Sequence, residues 1–229
     1  GDNTRDIDFS PDGEMAAIAI GRSGNGGTSG VVRMINMTDG SVIQNLNPGG
    51  EDRFESVAFS PSGGHLLIGS NDNFYVVETS TWSTVKSDSS PNADVDAVDW
   101  SPDGKHLAIC EAWDGSGSTI RLFAAGSWTQ KWSKSISTSC LSTDFSPDGT
   151  QVIFGFSWYQ TDGAISRIYD VSTGNQVDLL AQARPGNCQS GSGNNCGQTN
   201  GLSWSPDGSR VAQAFGRNNE GFYIWFADL

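Results

Sequence analysis

"DFSPDGTQVIFGF", Asp144 to Phe156, decides how this chain is read, because nearly the same phrase is spelled four more times. It recurs as "DFSPDGEMAAIAI" from Asp8, "AFSPSGGHLLIGS" from Ala58, "DWSPDGKHLAICE" from Asp99 and "SWSPDGSRVAQAF" from Ser203. Each copy carries an apolar run into an aromatic residue (Phe9, Phe59, Trp100, Phe145, Trp204), turns, and enters a second apolar run. In the turn, Pro fixes φ, Asp or Ser bonds its own backbone, and Gly accepts positive φ. Two apolar runs joined in this way predict a β-hairpin.

The repeat serines Ser10, Ser60, Ser101, Ser146 and Ser205 lie 50, 41, 45 and 59 residues apart. Those spacings bracket the period of roughly 40 to 45 residues of a four-stranded propeller blade. Further strands follow each hairpin, for example "GVVRMINM", "NFYVVET" and "STIRLFAA" as third strands and "SVIQNL" or "TQKWSKS" as fourth. No stretch sustains an apolar period of 3.6, so helix is predicted to be nearly absent. The expectation is an all-β chain, a single β-propeller domain over residues 1–229. Its five blades, of four antiparallel strands each, cover about 4–46, 54–87, 95–135, 140–181 and 199–229, and the last lacks its outer strand.

The aromatic-Ser-Pro-Asp-Gly turn and its spacing resemble the WD-repeat family and its bacterial and archaeal relatives, including the propeller of the periplasmic Tol system. The resemblance covers essentially the whole chain, although the Trp-Asp dipeptide survives only as Tyr169-Asp170. It implies a propeller fold and leaves activity open, since propellers host many functions.

Composition narrows the partners. Thirteen Lys and Arg stand against 26 Asp and Glu, and a formal charge of −13 repels phosphate backbones and anionic lipid. Nucleic acid and membrane insertion are therefore not expected. No apolar run approaches the roughly 20 residues of a bilayer span, and "GDNTRDIDF" lacks the regions of a signal peptide. Cys188 and Cys196 bracket the polar loop "CQSGSGNNC", which reads as a disulfide, with free thiols as the alternative; two Cys and no His are too few ligands for metal. Cys110 and Cys140 fall inside predicted strands, as buried thiols or as a second bridge. With the glycan-acceptor triplet Asn36-Met37-Thr38, the cysteines point to an extracellular, cell-surface or periplasmic protein.

The strand count poses a question of closure. Three arrangements compete: a closed five-bladed ring with a three-stranded last blade, a ring completed by a neighbouring copy, or part of a larger propeller. In the second, Phe222, Tyr223, Ile224, Trp225 and Phe226 form an assembly edge.

Alternating strand direction puts the tight turns at one end and the long connections at the other: 22–30, 47–53, 88–94, 113–118, 157–163, 183–200 and 216–220. Trp113, Asp114, Trp158 and Tyr159 lie on these connections and are candidates for stacking on a sugar ring or anchoring a protein partner. The competing reading makes the rings caps of the core. Asp8, Asp99 and Asp144, each just before the repeated aromatic, are expected to line the channel. They either hold a hydrated cation or accept backbone hydrogen bonds; Ala58 and Ser203 at the other two positions favour the structural role. Asp12, Asp103, Asp148 and Asp207 read as turn formers. His65 and His106 begin second strands, and no nucleophile elbow, phosphate loop, metal or cofactor motif is present. The sequence thus predicts a non-enzymatic, self-assembling scaffold without cofactor or metal, whose partners are protein, including copies of itself. Recognition of a protein or glycan by a monomer is the alternative, and a carboxylate-based hydrolase the least supported one.

Overall fold

The computed structural model describes residues 2–22, 30–89, 93–112, 118–157, 164–181, 198–217 and 221–229. Their strands form five antiparallel sheets, each an up-and-down meander in chain order. The first blade holds β1 (Asp2–Phe9), β2 (Met15–Arg22), β3 (Val31–Asn36) and β4 (Val42–Leu46). The second holds β5 (Phe54–Phe59), β6 (His65–Ser70), β7 (Asn73–Glu78) and β8 (Ser83–Ser89). The third is built from β9 (Val95–Trp100), β10 (His106–Glu111), β11 (Ser118–Ala124) and β12 (Thr129–Ile136). β13 (Cys140–Phe145), β14 (Gln151–Phe156), β15 (Ala164–Asp170) and β16 (Gln176–Ala181) make the fourth. The fifth has three strands, β17 (Gln198–Trp204), β18 (Arg210–Arg217) and β19 (Gly221–Asp228). A single 3₁₀ turn at Pro48–Gly50 is the only helical element among the described residues.

The repeated turn explains why every first strand reverses into the second. In the first blade the Ser10 hydroxyl donates to Asp12 Oδ1 at 2.6 Å and accepts the Met15 N–H at 2.9 Å. Asp12 Oδ1 also accepts the Glu14 N–H at 2.9 Å, and Gly13 sits at φ 72°. Ser101 with Asp103, Ser146 with Asp148, and Ser205 with Asp207 repeat the same bonds. In the second blade Ser62 replaces the Asp and lies 3.2 Å from the Ser60 hydroxyl.

Four buried clusters join the blades in sequence. Ala17, Val32 and Met34 of the first pack on Phe54, Phe59 and Tyr75 of the second. Leu67, Phe74 and Val76 meet Val98, Trp100 and Leu107 across the next joint. Ala108, Ile120 and Leu122 meet Phe145, Val152 and Tyr169 across the third. Ile153 and Ile168 meet Trp204 and Val211 across the fourth. The repeated aromatic of the second to fifth blades thus faces the blade before it. Among the described residues no buried cluster joins the fifth sheet to the first, and the described blades follow one another as an arc with two ends. Ile7 and Phe9 are 50% and 52% exposed at one end, and Ile224 and Phe226 are 69% and 65% exposed at the other.

Candidate functional site

The first strands β1, β5, β9, β13 and β17 follow one another along the arc. Asp8, Asp99 and Asp144 lie on them, and their carboxylates bridge neighbouring blades. Asp8 accepts the Phe9 N–H of its own strand at 2.8 Å and the Phe59 N–H of the next blade at 2.6 Å. Asp99 accepts Trp100 N–H at 2.8 Å and Phe145 N–H at 2.9 Å in the same way. Asp144 accepts Trp204 N–H at 2.5 Å. Asp6 adds a further pair of bonds, from the Ser56 hydroxyl at 2.8 Å and Val57 N–H at 3.0 Å. Three of the four joints therefore have a carboxylate seated between two aromatic N–H groups. Ala58 leaves the joint between the second and third blades without one; there the Val98 N–H bonds the Ser56 hydroxyl at 3.2 Å. The carboxylates of Asp8, Asp99 and Asp144 accept hydrogen bonds from backbone donors. No group of three or more His, Cys, Asp or Glu among the described residues is arranged to hold a metal ion.

Burial gives these carboxyl groups a second property. It raises Asp8 above the ordinary range, raises Asp144 to about 6, and lifts Asp99 well above its usual value, with the Asp144 charge adding to the effect. The turn carboxylates go the other way. Hydrogen bonds from Ser205 and the Ser209 N–H hold Asp207 down at about 2, and similar bonds lower Asp12 and Asp148.

A charged cluster that sequence reasoning did not find lies toward the end of the arc that carries the long connections. Every first strand skips one residue of its ladder, leaving Arg5, Glu55, Asp96, Leu141 and Asn200 as β-bulge residues. Three of them are charged and sit on adjacent blades. Arg5 Nε is 3.5 Å from Glu55, Arg53 Nε is 2.6 Å from the same carboxylate, and Arg53 also pairs with Asp94. Burial, with Glu55 and Asp94 nearby, pushes Asp96 up to about 7. The signal was present in the sequence as a charged residue four positions before the repeated aromatic in three of five copies. A second such group joins the second and third blades. There the Arg121 guanidinium bonds Glu111 at 2.5 Å and Asp88 at 3.1 Å, and lies over the rings of Phe74 and Phe123.

The remaining candidates divide. Trp113, Asp114, Trp158, Tyr159, Cys188 and Cys196 lie outside the described residues. Cys110 and Cys140 are disulfide-bonded, with Cα atoms 5.3 Å apart, so the reading of them as buried free thiols is corrected. The bridge joins β10 to β13 and so crosses the joint between the third and fourth blades. Trp82, Trp128 and Trp132 pack partly buried against joint clusters, Trp128 beside His65 and Trp100 at ring distances of 5.5 and 6.3 Å. The Asn36 side chain accepts the Thr38 N–H at 2.8 Å in the β3–β4 turn. Phe222 to Phe226 lie on β19, which pairs with β18 on one side and with no described strand on the other.

Comparison with known proteins agrees with this architecture. The family model described as "WD domain, G-beta repeat" matches residues 82–123. A solved structure titled Kuenenia stuttgartiensis Hydrazine Synthase superposes with a TM-score of 0.73 at 18% identity, covering 94% of this chain and 56% of that one. The chain thus spans little more than half of that structure's length, and at this identity the likeness is one of fold alone. No curated protein matches the sequence.

Proposed function

We propose that this chain, a WD-repeat-like β-propeller, is a non-enzymatic protein-interaction scaffold that works outside the cytoplasm and makes its contacts through the two ends of its arc. The observation that carries this reading is positional. Phe9, Ile224 and Phe226 are more than half exposed, whereas the residues at the corresponding places in the interior blades are buried. Apolar area of this kind drives association, because covering it removes it from water. Another copy of the chain carries faces of the right shape, which gives the self-assembly expected from sequence a specific seat. The Cys110–Cys140 bridge supports an oxidising compartment, where such bonds persist. Carboxylates that another protein would use for acid-base chemistry are here engaged by backbone donors at the joints.

Light scattering over a range of concentrations tests the reading. The mass of the chain is expected to rise with concentration, and Phe9→Asp combined with Phe226→Asp is expected to return it to the monomer value. Both residues are exposed, so the melting temperature should move by no more than a few degrees. A monomer at every concentration, unaffected by the substitutions, overturns the proposal.

A further inference from the structure

Three of the four joints are apolar at one recurring place, and the fourth is not. In the register of the sheets, Val32, Phe74, Ile120 and Ser166 stand at the same position of the third strands. Ile68, Ile109, Phe154 and Gln213 stand at the same position of the second strand in the following blade. Val32 and Ile68 share one buried cluster, Phe74 and Ile109 the next, and Ile120 and Phe154 the third. At the fourth joint the pair is Ser166 and Gln213, both fully buried, and the hydroxyl donates to Gln213 Oε1 at 2.6 Å. Gln213 Nε2 is buried as well and has no hydrogen-bond partner among the described residues. Turning the amide over exchanges the atom that meets Ser166 and leaves the other bare. The neighbouring contact differs too. Where Cys110 and Cys140 staple the third joint, the fourth has Gly155 and Thr199, and the Ser142 hydroxyl bonds the Thr199 carbonyl oxygen at 2.8 Å.

An apolar joint opens only by exposing hydrocarbon to water, at a cost that rises with the area uncovered. A buried amide without a partner is penalised while its joint is shut and relieved once water reaches it. At the fourth joint the second effect offsets part of the first, and the joint beside it is locked covalently. We infer that the contact between the fourth and fifth blades is a polar seam, at which β17–β19 separate from β13–β16 as an intact sheet while the other three joints stay shut. Separation lets water reach Ser166 and Gln213. It also uncovers Ile153, Ile168, Trp204 and Val211, an apolar surface that the shut joint hides, so the seam is a conformational device that presents a second contact surface. The inference stands apart from the exposed surfaces at Phe9 and Phe226, because the opening needs no partner.

Native-state amide exchange at low denaturant concentrations tests the seam, because a sheet that separates as a unit gives its slowest amides one common opening equilibrium. In the chain as it stands, the slowest amides of β17, β18 and β19 are expected to converge on one such value, below that of β6 and β10. Ser166→Val with Gln213→Ile gives the fourth joint the pair found at the first. This double variant should slow the slowest amides of β17–β19 at least tenfold and leave β6 and β10 unchanged. Ser166→Ala with Gln213→Met, whose flexible side chain fills the site differently, guards against poor packing in the first variant and should act in the same direction. A gain confined to β17–β19 in either variant supports the seam. Exchange in β17–β19 that is unchanged or faster in both variants overturns it, as does a gain spread evenly over all five sheets. Strands β17, β18 and β19 that exchange with unrelated opening equilibria overturn it as well, since the sheet then frays instead of separating.

Discussion

Asp96 shows how this acidic chain couples its charge to its stability. Burial raises its pKa to about 7, and Glu55 and Asp94 push the same way against Arg53 and Arg5. Asp144, at about 6, and Asp99, well above its usual value, are raised by the same desolvation in the joints. In the unfolded chain such groups titrate near 4. The folded state therefore binds more protons between that value and about 7, and stability falls as pH rises through the window. The turn carboxylates have the opposite sign. Asp103 and Asp207, held at about 2, contribute stability above the unfolded value that is lost as pH falls from about 4 toward 2. The melting temperature should accordingly peak near pH 4 to 5 and be several degrees lower at pH 8. Asp96→Asn should narrow the difference between pH 5 and pH 8. A thermal scan in which stability climbs steadily from pH 5 to pH 8 contradicts this assignment. The net charge of −13 acts in the same direction, because self-repulsion grows as carboxyls ionise.

At the scale of strands, the second strand of each blade approaches the first strand of the next at one recurring place. Ala19, Gly69, Cys110, Gly155 and Ala214 occupy it, as their ladder positions show. A Cβ at Gly69 would lie 2.6 Å from the Val95 carbonyl oxygen, and one at Gly155 would meet Thr199 Cγ2 at 2.8 Å. The disulfide is the covalent form of this same contact. Replacing Cys110 and Cys140 together by Ala is expected to cost about 3 to 4 kcal/mol on the chain-entropy account. Gly69→Ala should cost about 1 to 3 kcal/mol through forced backbone shift, both read by denaturant unfolding. No loss from either change would show that the joint is looser than these distances imply. The contact also marks where sequence reading stopped. The hairpins were legible because Ser-Pro-Asp-Gly announces its turn chemistry within four residues. The choice at Cys110 and Cys140 between buried thiols and a bridge stayed open, because strand periodicity gives the face a residue occupies and not the strand that abuts it. The bulge at Arg5, Glu55 and Asp96 escaped for a related reason. It is a slip in backbone pairing, which leaves no mark in the alternation except a charge out of phase.

For the molecule as a whole, an arc of blades behaves as a one-dimensional array, in which each unit is stabilised by its neighbours and end units have only one. Local stability should then follow position. Among the described residues the fifth sheet has three strands, an exposed face at Ile224 and Phe226, and a joint that includes Trp204, Val211 and Ala227. The third and fourth blades have neighbours on both sides and share the disulfide. Native-state amide exchange is expected to be fastest in β19 and β18, next fastest in β1, and slowest in β10 and β14, where Leu107, Ile109, Val152 and Phe154 are fully buried. Reducing the disulfide should bring β10 and β14 closer to the others without changing the order at the ends. Protection that is equal in all five sheets would mean the blades open as a single closed unit, and would require a contact between the fifth blade and the first in solution.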